Sequence, residues 1–363
     1  MSTVPKWKEL MRDSLRRGSD LKQLDPEAQA KVDEVRKLYP FFSNAYYTSL
    51  IEEEGDPIWK QVVPTDLELD DPDIYTADVL GEDGDDSPVK HLTHRYPDRV
   101  LFTVTYTCAI YCRFCTRKRK VGKNPVPPWH EMEAVFDYLR THTEVRDVLL
   151  SGGDPLLLSD DQLDRILTEL RAIPHIDIVR IGTKLPCVLP QRITPELVAV
   201  LRRHHPLYIN THFNHPRELT PEAERACGLL ADAGIPLGCQ TVLMKGINDD
   251  VDIMKELMLG LLRIRVKPYY LYQADLVSGT SHFRTDVQTG LNIMKGLQGH
   301  ITGFGVPTYI IDAPGGGGKM AVGPNSLLEL NEDHAVLQNY EGKIFHYPAG
   351  TSAKKTVLIQ DYV

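Results

Sequence analysis

The run Tyr106-Thr-Cys-Ala-Ile-Tyr-Cys-Arg-Phe-Cys-Thr-Arg117 follows directly on a β-branched, strand-like stretch at 100–106. Its three cysteines, Cys108, Cys112 and Cys115, are spaced Cys-x3-Cys-x2-Cys, and no fourth cysteine stands near them. Thiolates are the ligands that iron–sulfur clusters require. A four-iron cubane held by three thiolates keeps one iron open to a ligand that is not protein. A structural zinc site is the plainer reading, but zinc in such sites takes four protein donors in a closed tetrahedron. His91 and His94 could complete a set, yet both precede the strand that leads to the cysteines.

Beyond this run, short β-branched stretches alternate with amphipathic ones. Strands are predicted at 100–106, 147–150, 176–181, 207–211, 236–243 and 267–272. Helices are predicted near 130–141, 160–171, 195–204, 221–233, 251–263 and 286–298. Six βα units in succession argue for parallel strands joined by crossover helices. An open partial (β/α)6 barrel and a doubly wound sheet both fit. The cysteines then lie at the C-terminal end of the first strand, where parallel α/β folds place their chemistry. Their spacing is that of the radical S-adenosylmethionine (SAM) enzymes, and this resemblance favours the barrel. In those enzymes SAM chelates the open iron, and its reductive cleavage yields a 5′-deoxyadenosyl radical.

The chain has 363 residues, 42% of them hydrophobic, and a formal net charge of −9. That balance excludes a general nucleic-acid backbone binder. No apolar run of about 18 residues is present, so no membrane span is expected. The N-terminus Met-Ser-Thr-Val-Pro-Lys-Trp has no apolar leader. Six cysteines without paired spacing fit a reducing compartment, and a cytoplasmic enzyme is the expectation. Cys187, Cys227 and Cys239 lie in apolar stretches and read as buried packing residues.

The organisation expected is a helical N-terminal extension with an acidic linker over 1–92, a barrel over 93–312 and a C-terminal segment over 313–363. Helical stretches are predicted at 5–16, 26–38 and 44–54. The Asp-rich stretch 67–86 reads as a surface linker with little core of its own. Arg117-Lys-Arg-Lys120 reads as a solvated turn, or as an anion site for one or two of its members. A seventh apolar run, 306–311, leads out of the barrel. A hairpin tail pairs 336–340 with 343–347 around Glu341-Gly342.

Two motifs besides the cysteines carry chemistry. Ser151-Gly-Gly-Asp-Pro155 ends the second strand, where two glycines allow close backbone approach. A tight turn with Asp154 as helix cap is the plainer account. Asp312-Ala-Pro-Gly-Gly-Gly-Gly-Lys319 presents a lysine after four consecutive glycines. A phosphate-binding P-loop needs Gly-x4-Gly-Lys-Ser/Thr, and Met320 stands where the hydroxyl should be. A lysine that forms a Schiff base with pyridoxal phosphate (PLP) fits better, against the alternative of a flexible loop.

Together these runs resemble the lysine 2,3-aminomutase family. The resemblance extends through Leu92-Thr-His-Arg-Tyr-Pro-Asp-Arg-Val-Leu101, Val188-Leu-Pro-Gln-Arg-Ile-Thr-Pro195, Asn210-Thr-His-Phe-Asn-His-Pro216 and Pro268-Tyr-Tyr-Leu-Tyr-Gln-Ala-Asp275. It covers roughly residues 40–345. It implies a [4Fe–4S] cluster on Cys108, Cys112 and Cys115, and PLP on Lys319. Arg95, Tyr96 and Arg99 resemble the segment that contacts PLP, on its phosphate side. Ser151, Gly152, Gly153 and Asp154 resemble the loop for the SAM amino group, and His212 and Gln240 would line the SAM pocket. Arg117 would pair with the substrate α-carboxylate, which its planar fork matches. Asp275 and Asp312 would hold the distal ammonium of lysine. The reaction implied moves the α-amino group of free L-lysine to C3, giving β-lysine.

Two carboxylates select a basic side chain. For glutamate, each contact at about 4 Å would cost roughly 4 kcal/mol at an effective dielectric of about 20. Arginine and a protein-bound lysine remain as alternative substrates, and a zinc-stabilised binding protein as an alternative of another class. An electron donor such as flavodoxin or ferredoxin is implied, as is a homo-oligomer. Two positions depart from the family's pattern. No cysteine follows Cys239, and Asp250 stands where a partner zinc cysteine would be, so zinc is not expected. Lys184 stands where arginine is usual.

Overall fold

The computed structural model describes residues 4–123, 126–332 and 334–348. The end of the predicted C-terminal segment and the first three residues lie outside them. One sheet dominates: β1 (Leu92–Tyr96), β2 (Arg99–Thr105), β3 (Asp147–Gly152), β4 (Ile178–Gly182), β5 (Leu207–Thr211), β6 (Leu237–Leu243), β7 (Lys267–Gln273), β8 (Thr308–Ala313) and β9 (Gly318–Ala321). Its spatial order is its sequence order. Strands β2 to β8 are parallel, while β1 and β9 run antiparallel at the two edges. That order decides between the two predicted architectures. A doubly wound sheet reverses its strand order at a switch point. Here the order never reverses, so crossovers of one hand put every helix on one face and the sheet curls. The result is a partial barrel, open between β1 and β9, with the seventh apolar run added as the parallel strand β8.

The crossover helices are Trp129–Thr141, Asp160–Arg171, Pro195–Arg202, Pro221–Asp232, Val251–Arg263 and Val287–Leu297. Most start on a polar cap. Ser159, Thr194, Thr220, Asp250 and Asp286 each accept a backbone N–H of the first turn, and proline opens two of them, as fixed φ favours. Along β6, Leu237, Cys239, Thr241 and Leu243 are buried, while Gly238, Gln240 and Val242 stay partly accessible. The buried set packs under the helices, and the alternate set lines the concave face. Cys187, Cys227 and Cys239 are buried, as predicted.

The N-terminal segment is not a separate layer. Leu21, Val32, Tyr47 and Trp59 belong to the same hydrophobic cluster as Phe102, Ile209 and Tyr309. Its first helix ends at Arg12 rather than 16, because Leu15 turns to pair with Ser43. The third spans only Ala45–Thr48. Asp56 accepts the Glu52 N–H at 2.8 Å and caps a new helix, Pro57–Val62. Three edges were not foreseen: β1, β9, and β10 (Leu327–Leu330). The last joins the predicted tail hairpin of β11 (His334–Gln338) and β12 (Ile344–Pro348) in a second, three-stranded sheet. The boundary at 312/313 falls inside β8, so Lys319 stands on the edge of the barrel sheet itself.

The supposed acidic linker is a strap with buried anchors. Glu68 pairs with Arg113 in a contact where the side chains are 0% and 1% exposed. Arg113 Nε donates to Glu68 Oε1 at 2.8 Å, and Lys118 Nζ to Oε2 at 2.7 Å. Burial opposes the Glu68 charge, but Arg113 and Lys118 carry its carboxyl below the usual range. Removing one partner of such a pair leaves a buried charge, at a cost of about 3–5 kcal/mol. Glu68→Ala is therefore expected to destabilise the chain by that amount in urea unfolding. It should also lower the iron bound on reconstitution, since Arg113 sits between Cys112 and Cys115.

Candidate active site

The three cysteines occupy the loop that leaves the C-terminal end of β2. The N-terminal segment clamps that loop. Tyr111 N–H donates to Phe42 O at 2.8 Å, Arg113 N–H to Gln61 O at 2.9 Å, and Asn44 Nδ2 to Ala109 O at 3.0 Å. Burial pushes the Cys112 thiol up to about 12 and raises those of Cys108 and Cys115. A charge on Cys115 or Cys112 would disfavour one on Cys108, and a charge on Cys115 would disfavour one on Cys112. Thiols held this way ionise only with a compensating cation. His91 bonds Tyr106 and Glu131, and His94 bonds Tyr138, so neither histidine completes a zinc set here. Among the described residues no His, Cys, Asp or Glu side chains are gathered around one ion. A cubane makes no such demand, because each thiolate takes a different iron.

Ser151-Gly-Gly-Asp154 ends β3 beside that loop. A Cβ at Gly152, whose φ is +120°, would overlap the Thr105 carbonyl, and one at Gly153 would overlap the Thr107 backbone. The close approach these glycines allow is to the start of the cysteine loop. Gly153 N–H donates to Thr105 O at 2.6 Å and Asp154 N–H to Thr107 O at 2.7 Å. Asp154 caps the following turn and accepts Thr183 Oγ1–H at 2.7 Å. Burial lifts its carboxyl to about 6 against those hydrogen bonds. Ser151 Oγ accepts from Arg117 Nη1 at 3.1 Å.

Arg117 is also held by the strap. Its Nε lies 2.9 and 3.1 Å from the two Glu82 oxygens, and its Nη2 lies 2.6 Å from Oε1. The rest of the basic run is paired too. Arg119 meets Asp78 and Asp83, Lys120 meets Asp83, and Lys118 meets Glu68. The predicted solvated turn is thus a neutralised one.

Lys319 lies where β9 passes back beside β8, in register with Asp312. Gly315, Gly316 and Gly318 between them adopt φ of +67°, +83° and +81°. At Gly315 a Cβ would touch nothing, so the requirement there is conformational. Lys319 Nζ donates to Asp312 Oδ2 at 2.9 Å, and its backbone N–H donates to the Tyr96 hydroxyl at 3.0 Å. The Asp312 side chain is 5% exposed, and its Oδ1 is buried with no hydrogen-bond partner among the described residues. Asp275, after β7, faces the same charge. Burial and Asp312 push its carboxyl up to about 7, and only Lys319 eases it. An acceptor-rich, cation-poor pocket of this kind fits a basic ligand. Arg95 approaches the glycine turn, with Nε 2.8 Å from Asp86. Arg99 stacks its guanidinium 4.1 Å over the Tyr96 ring and bonds Asp98.

Residues 294–360 match the family model described as lysine-2,3-aminomutase, and residues 102–257 that of the radical SAM superfamily. L-lysine 2,3-aminomutase of Clostridium subterminale is 50% identical over 347 residues, covering 94% of this chain and 83% of that protein. The chain belongs to the lysine 2,3-aminomutase family. The Bacillus subtilis L-lysine 2,3-aminomutase is 46% identical, covering 94% of this chain and 74% of that protein. Glutamate 2,3-aminomutase of Clostridioides difficile is also 46% identical, covering 86% and 74%. Identity alone therefore does not separate lysine from glutamate. Membership implies a [4Fe–4S] cluster, SAM and PLP. The donor set fits: three clustered thiols, a glycine turn packed on their loop, and a half-exposed lysine beside an arginine-bearing edge.

Lys184, where the resemblance implies arginine, follows β4. Its Nζ donates to Glu218 Oε1 at 3.1 Å and to His212 O at 3.3 Å. Burial alone would neutralise it, but the ionised Glu218 carboxylate raises its affinity for a proton. It lies 5.8 Å over the Phe114 ring, and His212 meets the same ring in a tilted contact, 5.5 Å between centroids. Burial and Lys184 lower His212 to about 3, so it stays neutral. Gln240 Oε1 accepts from Tyr269 at 3.1 Å. Sequence reasoning missed Glu82 and Glu218. Glu218 follows the Asn210–Pro216 motif by two residues and could have been noticed; Glu82 sat in an undifferentiated acidic stretch.

Proposed function

We propose that this chain catalyses the 2,3-aminomutation of free L-lysine to β-lysine. The observation that carries it is the unpartnered, buried Asp312 Oδ1 beside Asp275. A distal ammonium satisfies both acids; the distal carboxylate of glutamate would be a third negative charge. When bound, the cluster and SAM supply a hydrogen-abstracting radical, and PLP supplies the π system that carries the migrating nitrogen. The chain's own side chains hold the substrate at both ends. Asp275 and Asp312 grip the ammonium, and Arg117 grips the α-carboxylate through its fork. Lys319 must release Asp312 to bond the cofactor, which leaves Asp312 for the incoming ammonium. The Ser151–Asp154 turn orients SAM against the cysteine loop, and Arg95, Tyr96 and Arg99 orient PLP. Hydrogen and nitrogen exchange places on adjacent carbons, so the net reaction is an isomerisation.

No helix among the described residues is long and apolar enough to cross a membrane. A cytoplasmic setting, a homo-oligomer and a flavodoxin- or ferredoxin-type electron donor belong to the same proposal. The test is anaerobic turnover of the reconstituted protein with lysine, arginine and glutamate offered together, read by mass spectrometry. β-Lysine is expected. β-Arginine alone would move the substrate and keep the two acids; β-glutamate alone would overturn their role.

A further inference from the structure

The Arg117 guanidinium is nearly fully committed. Nε–H and one Nη2–H go to Glu82, and the two Nη1–H go to Ser151 Oγ and Gly152 O. One Nη2–H remains. A substrate carboxylate cannot chelate that fork while Glu82 holds it. Both side chains are largely buried, at 14% and 9% exposed, so the pair is not a screened surface contact. Yet Glu82 has somewhere else to go. With Asp83 it lines a cavity of about 290 Å³ that Lys90, His91, Tyr106 and Lys120 also line. Arg119 Nη2 already stands 3.9 Å from Glu82 Oε2. The backbone around it is pinned independently: Asp78 accepts the Glu82 N–H at 3.0 Å, and Asp86 holds Arg95.

We propose that Glu82 is a specificity-determining residue: a built-in carboxylate that occupies the Arg117 fork and swings onto Lys120 and Arg119 only when a substrate carboxylate replaces it. This rests on the reading of Arg117 as the α-carboxylate partner. The substrate carboxylate takes over Arg117 while Glu82 joins Asp78 and Asp83 on Arg119 and Lys120, so the buried guanidinium is never left unpaired. A diamine of lysine's length satisfies Asp275 and Asp312 but brings nothing to displace Glu82. It therefore leaves the strap shut, and the site distinguishes an amino acid from its decarboxylated analogue.

The test is binding to PLP-loaded protein without SAM, by calorimetry, with L-lysine and 1,5-diaminopentane as ligands. In Glu82→Gln the competitor loses its charge. Lysine is expected to bind about tenfold tighter, about 1.4 kcal/mol, while the diamine is unchanged. Arg117→Gln is the control for the underlying reading and should weaken lysine at least tenfold. Lysine no tighter in Glu82→Gln, with affinity lost in Arg117→Gln, would overturn the exchange and leave Arg117 in place. Wild-type affinity in Arg117→Gln would overturn both. A wild-type readout guards against misfolding of either variant: cleavage by a glutamate-specific protease after Glu82 should rise with lysine and not with the diamine. Equal cleavage in both sinks the proposal.

Discussion

In Asp312→Asn, kcat/KM for L-lysine is expected to fall by two to three powers of ten. Truncating one partner of a buried charge contact costs about 2–5 kcal/mol, and each 1.36 kcal/mol is tenfold in rate. Asp312 is the more buried of the two groups in its ion pair, and its second oxygen has no donor among the described residues to fall back on. The variant should also move the pH profile. Asp275 must be ionised to hold an ammonium, and its carboxyl is pushed up to about 7 by burial and by Asp312, with Lys319 pulling it down. Once Lys319 is engaged with the cofactor that relief is gone, so the acid limb of kcat/KM should lie at or above about 7. Removing the Asp312 charge should bring the limb down. An acid limb that stays put in Asp312→Asn would show that the two acids do not share one cation.

Lys319→Ala is expected to abolish turnover and the yellow absorbance that borohydride fixes, because Lys319 is the proposed point of covalent PLP attachment. A less obvious effect should follow in the cofactor-free protein. Asp275 titrates higher when folded than its ordinary 3.8. A raised acid destabilises the fold where the unfolded chain is already ionised. The penalty is absent below about 4, grows through about 7 and is complete above it. Carrying the carboxyl from 3.8 up to about 7 corresponds to a few kcal/mol. Without Lys319 the penalty should deepen and extend upward. The melting temperature of Lys319→Ala should fall further below wild type at pH 8 than at pH 5. Lys319→Ala combined with Asp312→Asn should recover stability without recovering turnover. Equal destabilisation at both pH values would mean that Lys319 does not serve the acids.

The parallel strands and their helices were legible because each carries a long periodic signal, and β5 lies where the residues place it. The edges were not. β1 is short and ends at Pro97-Asp98, and β9 begins inside a glycine run whose composition speaks against strand. Both owe their form to a neighbour rather than to propensity. The site was legible as far as its motifs reach. Lys319, Asp312 and Asp275 face one another across one pocket, and the three cysteines share one loop. What could not be read was pairing at a distance. Glu68 meets Arg113 across 45 residues, and Glu82 meets Arg117 across 35. A charge-rich stretch announces its sign but not its partner, so a strap with buried anchors reads as a linker. The glycines at 152 and 153 were ambiguous for a related reason: sequence shows that something comes close, but not what.

The barrel sheet ends at β1 on one side and β9 on the other, and these two strands are not paired with each other. They meet through side chains, above all the Tyr96 hydroxyl on the Lys319 amide. A wall bonded all round opens only by global unfolding; one with a seam can part along it at lower free energy. Amide exchange should therefore be graded around the circumference, slow in the middle strands and fast in β1 and β9. Lys319, which the proposed reaction requires to trade one bond for another, is carried on the lip of that seam, where the protein is cheapest to deform, and Tyr96 acts as its clasp.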